Sequence, residues 1–295
     1  MQLPLGVLFA VIAAVGLASQ AVCVRVGTDA GKSTDAVLVG LATNVAITVP
    51  LAAALYYPRY HVTPLALASF ASAGVLGSMF GRAFYFEGIS RAGASRAEAV
   101  KSSQSLHAAL LAALFVGQSL TLGHLAAILL IVAGLVLLAS DSADDPLTGR
   151  SLSPRTLVFP LLAAFFFGLE PVLATVGFEA ATPALVGVAV KTSAALLGYV
   201  GYRWWRTGLP GRETLDANTR WFLAAGVANT GFVVAYYSAL AVAPVGVVVP
   251  IVQTSPLLIV AVSAFALREY ERVTPRLVAA AITVFVGAVG VTLLG

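Results

Sequence analysis

The chain has 295 residues, 59% of them hydrophobic and 10% charged, with a mean hydropathy of +0.95. A soluble domain needs about 25% charged residues to cover its surface, so 17 Lys+Arg and 13 Asp+Glu exclude a soluble globular protein. The net charge of +4 comes from basic residues scattered through short loops, with no basic patch and no interleaved aromatics, which argues against a nucleic-acid partner.

Apolar runs of about 20 residues, long enough to cross about 30 Å of hydrocarbon as a helix, recur along the chain. Ten spans are predicted: Leu3–Val24, Ala36–Tyr56, Pro64–Gly88, Ala94–Val116, Leu122–Ser140, Leu157–Phe178, Pro183–Tyr202, Trp221–Val242, Val245–Leu267 and Thr274–Leu294. All are expected to be helical, because lipid offers no partner to backbone N–H and C=O groups and the alternation of a barrel strand is absent. The first begins without a basic leader and outlasts a signal core, so it is read as a retained span. It contains Cys23, the one cysteine, which excludes an intrachain disulfide and is read as a small buried residue. Gln20 and Asn44 offer neutral hydrogen-bonding groups in the first two spans.

Ionisable groups at membrane depth are costly and in a bundle line a water-filled path or a site. Arg82, Glu98, Lys101, Glu170 and Lys191 qualify, whereas Glu87 and Glu179 lie near span ends and are expected to be solvated. On the third span, helical spacing puts Ser78, Arg82 and Tyr85 on one face. On the fourth, Glu98, Lys101, Ser102 and Ser105 form one stripe facing a hydrated cavity, with Glu98 and Lys101 spaced as an i,i+3 pair. Ser103 and His107 point elsewhere and are expected to bond neighbouring helices. Glu170 and Lys191 fall near the middle of the adjacent sixth and seventh spans, where each compensates the other as part of a site or as a structural pair. Pro171 weakens the helix beside Glu170. Asn229, Val233 and Tyr236 share a face of the eighth span, and the ninth contains Pro250, Gln253-Thr254-Ser255 and Pro256, a polar segment between kink-forming residues.

The stretch Asp141–Arg155, rich in acids, Ser, Gly and Pro, separates residues 1–140 from 156–295. Five spans in each half force the second half to enter the membrane from the opposite side, so any internal homology is an inverted repeat. Sliding Phe84-Tyr85-Phe86 onto Ala235-Tyr236-Tyr237, an offset of 151, also aligns Ser78 with Asn229 and Ser102–Ser105 with Gln253–Pro256. Gly16 meets Gly168 at an offset of 152, and Gly40 and Asn44 meet Gly187 and Lys191 at 147.

Ten short spans in two halves, short connections at Ser90–Gly93 and Ala243-Pro244, and a repeated turn before the last span of each half resemble the EamA-type members of the drug/metabolite transporter superfamily. That turn runs from Val116 to Thr121 and from Leu267 to Thr274. The family pattern is Gly-Glu, then Thr, then an apolar span with a central glycine. Glu269, Thr121, Thr274, Gly134 and Gly287 match it, while Gln118 replaces the acid and Arg268 the first glycine. The resemblance implies an all-α membrane protein with two inverted five-helix repeats around a central cavity. It also implies a transporter of small metabolites such as amino acids, often exported. The compact multidrug relatives bind cations through an acid in the first span, and Met1–Val24 contains none.

Outside the spans, 13 Lys and Arg lie in odd-numbered loops and only Arg59 in an even one, which puts the odd loops in the cytoplasm and both termini outside. HExxH, Walker A and Gly-x-Ser-x-Gly signatures are absent, as is any metal-ligand cluster, so neither catalysis nor a cofactor is expected. The expected function is a secondary transporter working by alternating access on a zwitterionic or anionic solute. Candidate binding residues are Arg82, Tyr85, Lys101, Ser105, Glu170, Lys191, Asn229, Tyr236 and Gln253, and Glu98 and Glu170 are candidates for proton coupling. The expected partners are that solute and the bilayer; the sequence gives no oligomeric state. The alternatives are a proton-coupled antiporter of drug cations and a membrane scaffold or sensor subunit that transports nothing.

Overall fold

The computed structural model describes residues 2–116, 121–140, 154–179, 182–207, 218–242, 248, 251–252, 254–267 and 273–293. The first two spans are α1 (Gln2–Ala30) and α2 (Ser33–Tyr56). Span 3 runs from α3 (Pro64–Ala73) through a π-helical stretch (Gly74–Gly81) into α4 (Arg82–Ala92). Span 4 is split into α5 (Ala94–Lys101) and α6 (Gln104–Val116), and α7 (Leu122–Ser140) closes the first half. The second half has a 3-10 turn (Pro154–Leu157), α8 (Val158–Glu179), α9 (Ala184–Thr207), α10 (Thr219–Val242), α11 (Ser255–Ala266) and α12 (Pro275–Leu293). Among the described residues, five helices are long and apolar enough to cross a membrane by themselves.

In the first helix, bulk is distributed inside out relative to a soluble protein. On α1 the small Ala10, Ala13, Ala14 and Ala21 are buried, while Leu5, Leu8, Ile12 and Val15 point outward. Lipid solvates Leu as well as a protein core does, so close backbone approach, and not burial of bulk, drives the helices together. The ends of α9 and α10 mark a water boundary with the chain's three tryptophans. Trp204 and Trp205 are exposed, Arg206 lies 5.9 Å from the Trp205 ring and Arg220 lies 5.7 Å from that of Trp221.

Contacts between the last helices of the two halves are reciprocal. A methyl on Gly134 would lie 2.9 Å from the Val284 nitrogen and 3.1 Å from the Ala280 carbonyl. On Gly287 it would lie 2.9 Å from the Ile131 nitrogen and 2.8 Å from the Ala127 carbonyl, the same contacts displaced by 153 residues. Reciprocity of this kind is the signature of a two-fold axis. The threonines of the repeated turn obey the same offset. The Thr121 hydroxyl accepts from the His124 amide at 3.3 Å and that of Thr274 from the Leu277 amide at 3.0 Å, so each caps the helix that crosses its twin.

The breaks in spans 4 and 9 also match. Ser103 N donates to the Val100 carbonyl at 3.0 Å, and the Ser103 carbonyl accepts from Leu106 and His107 at 3.0 and 3.3 Å. At an offset of 151, Thr254 N donates to Ile251 at 3.1 Å and its carbonyl accepts from Leu257 and Leu258 at 3.0 and 3.1 Å. Gly16 and Gly168 align in sequence but not in contact: Gly16 backs onto Ala228 and Phe232 of α10, Gly168 onto Gln104 and Ala108 of α6.

Two expectations need correction. Span 4 is not one stripe on a continuous helix, because its backbone turns at Ser102-Ser103. Arg25 and Arg96 lie buried within α1 and α5 and not in loops. α8 runs on through Pro171 to Glu179.

Candidate functional site

Glycines let span 3 press against the second half. The absent side chain of Gly74 would run into the Lys191 carbonyl, and that of Gly77 would meet the Glu170 carboxylate. Only a chain without Cβ fits there. The close approach delivers Ser78 to Glu170, whose Oε2 accepts from the Ser78 hydroxyl at 3.3 Å. Lys191 Nζ donates to Glu170 Oε1 at 2.6 Å, so the expected pair between spans 6 and 7 is present. Its side chains keep 10% and 18% exposure for Lys191 and Glu170, so protein does not enclose the pair completely.

Four residues beyond Ser78, Arg82 begins α4 and projects among spans 1, 2 and 8. It is 6% exposed. Nη1 donates to Asn44 Oδ1 at 2.7 Å and Nη2 to Asn229 Oδ1 at 2.9 Å. Asn229 Nδ2 in turn donates to Gln20 Oε1 at 2.9 Å, and Asn44 Nδ2 to Thr230 Oγ1 at 2.6 Å. A guanidinium buried in low dielectric is therefore held by neutral amides from both halves, which fix its direction without cancelling its charge.

A third cluster surrounds Glu98, which is 1% exposed. Oε1 accepts from Lys101 Nζ at 2.7 Å and from the Ser255 hydroxyl at 3.1 Å, and Oε2 accepts from the Tyr85 hydroxyl. Lys101 Nζ also lies 5.0 Å from the centre of the Tyr85 ring. The carboxylate is thus satisfied on all sides by protein groups.

The structure thus separates residues that helical counting put on one face. Ser78 meets span 6, Arg82 meets spans 2 and 8, and Tyr85 meets span 4. Ser78 lies in the π-helical stretch, whereas Arg82 and Tyr85 follow it in the regular helix α4. The hydrated cavity beside Glu98 and Lys101 is replaced by buried contacts. Tyr236 is half-buried and stacks on Phe232 at 5.8 Å. Gln253, the Ser105 and Glu179 side chains, Gln118 and Glu269 lie outside the described residues.

His107 bonds within its own helix, to the Ser103 carbonyl at 2.9 Å, and sets its ring against Phe165; the Ser103 hydroxyl is buried without a partner. Glu87 accepts from Arg91 at 2.5 Å and from Ser33, in place of simple solvation. Sequence reasoning missed Thr230 and the contact of Thr48 with Thr192, 3.2 Å apart between spans 2 and 7. It also missed the pair of Asp35 with Arg203 at 2.7 Å. Threonines are common helix glue, and only their neighbours in space distinguish these. No group of three or more metal-ligating side chains occurs among the described residues.

The model of the EamA-like transporter family matches residues 4–140 and 155–293. No curated protein matches the sequence. A solved structure, titled only as a crystal structure of protein, is 18% identical, with a TM-score of 0.65 over 98% of this chain and 96% of its own. At that identity the likeness is one of fold.

Proposed function

The chain belongs to the EamA-like transporter family, multi-pass membrane transporters and not enzymes, and we propose that it moves a small zwitterionic or anionic metabolite, amino-acid-like in size and polarity, by alternating access. The observation that carries this reading is Arg82. A buried cation with two neutral amide partners offers its charge to an anion, and two of its five N–H donors are engaged in those bonds. Asn229 and Asn44 orient it, Gln20 steadies Asn229, and Glu170 with Lys191 supplies a second polar pair that solvent reaches. Tyr236 contributes an amphipathic wall.

Net export fits an orientation with the odd-numbered loops in the cytoplasm, with residues 1–140 and 156–295 as the two moving halves joined by 141–155. Should either Glu98 or Glu170 exchange a proton for solute, Glu170 is the better placed, because solvent reaches it while Glu98 is enclosed.

The test is counterflow in proteoliposomes with amino acids, organic acids, nucleosides, polyamines and ethidium. Uptake of an anionic or zwitterionic solute, abolished by Arg82→Gln, is expected. Ethidium flux that survives Arg82→Gln and disappears in Glu170→Gln would overturn the reading in favour of a drug-cation antiporter. Flux of none of these solutes through folded protein would favour a scaffold.

A further inference from the structure

We infer that Glu98 is a pin that fastens the short helix α5 to span 9 through Ser255, and so a positioning residue for the conformational change of transport. The argument starts with what flanks α5. At one end Gly93, with φ of 89°, joins α4 to α5 in a single residue, a conformation that favours glycine. At the other end the Ser102-Ser103 turn interrupts the helix before α6. The eight residues of α5 are therefore a rigid rod between two swivels, and all eight are buried.

Span 9 carries the repeat-related turn at Thr254, and Ser255 is the first residue of α11 beyond it. Of the three side chains that donate to Glu98, Lys101 belongs to the same helix and Tyr85 to the helix joined through Gly93. Among the described residues, Ser255 alone comes from the other half of the molecule. If α5 swings away from span 9, Lys101 and Tyr85 travel with the carboxylate. The charge stays paired, and of these three bonds to Glu98 only that to Ser255 must break. A buried ion pair carried whole avoids the large penalty of stranding a charge.

At an offset of 151, the sequence has Val249 in the place of Glu98 and Val252 in that of Lys101, so the Glu–Lys pair is not repeated. Val252 is buried with Ala13, Leu17 and Ala239.

The test requires no solute, so its failure is distinct from failure of the proposed solute class. In a Cys23→Ser background, Ser95→Cys places a thiol on α5 at a position with 0% exposure. Reaction of the purified protein with a bulky, charged maleimide then reports how often α5 leaves its seat. Ser255→Ala should speed labelling about tenfold, as expected for loss of one hydrogen bond to a charged group, and Ser255→Thr should restore protection. Glu98→Gln should speed labelling too, and Ser255→Ala should add little in that background. Unchanged labelling in Ser255→Ala, or speeding that Ser255→Thr fails to reverse, overturns the pin. So do independent, multiplying effects of the two substitutions. If Glu98→Gln does not fold, the Ser255 pair of variants decides alone.

Discussion

The substitution Asn229→Asp separates a charge held ready for solute from a charge held for structure. It preserves shape and places a carboxylate oxygen where Asn229 Oδ1 now accepts from Arg82 Nη2 at 2.9 Å. Two opposite charges at this range attract by on the order of 4 to 6 kcal/mol at an effective dielectric of about 20, much of it offset by desolvation. The net gain of a charged over a neutral acceptor is about 1 to 2 kcal/mol. Gln20, which now accepts from Asn229, can turn its amide over and donate instead. The fold is therefore expected to keep or raise its melting temperature. Transport of an anionic solute faces the same carboxylate as a competitor, and kcat/KM should fall about tenfold to a hundredfold. Asn229→Leu, which strands part of the guanidinium, should lower both stability and transport. Melting curves in detergent and initial rates in proteoliposomes give the two readings. If Asn229→Asp is as destabilised as Asn229→Leu, or transports as well as the parent, then Arg82 is not a free charge waiting for an anion.

Lys191→Ala, which leaves Glu170 unpaired, should cost about 3 kcal/mol, near the low end for buried pairs because solvent reaches this one. Lys191→Met combined with Glu170→Leu should cost less than Lys191→Ala, as a two-state unfolding titration would show. Gly287→Ala drives a methyl to within 2.9 Å of backbone in α7 and should destabilise by about 1 to 3 kcal/mol. Gly231→Ala meets nothing within 4 Å and should be neutral or stabilising by about 0.5 to 1 kcal/mol, measured in the same titration. With the odd-numbered loops in the cytoplasm, a C-terminal tag on right-side-out vesicles should be digested by added protease; a protected tag reverses the orientation.

Much of the architecture is legible in the residues because lipid is an unforgiving solvent: it demands long apolar helices and makes every charge at depth conspicuous. Ten helical spans, the division into halves and the Glu170–Lys191 pair follow from spacing and hydropathy, and the threonine and glycine of the repeated turn from the family resemblance. Helical counting does not say which neighbour a side chain meets. Ser78, Arg82 and Tyr85 go to three different neighbours, and the turn at Ser102-Ser103 converts a polar stripe into a buried knot. Gln20, Asn44 and Thr230 read singly as helix glue; only packing makes them the neutral cradle of Arg82. The 30 charged residues therefore determined by themselves that this protein lives in a membrane. The tertiary structure decided which buried charge meets a carboxylate and which meets neutral amides, because that depends on what each side chain meets across helices far apart in the chain.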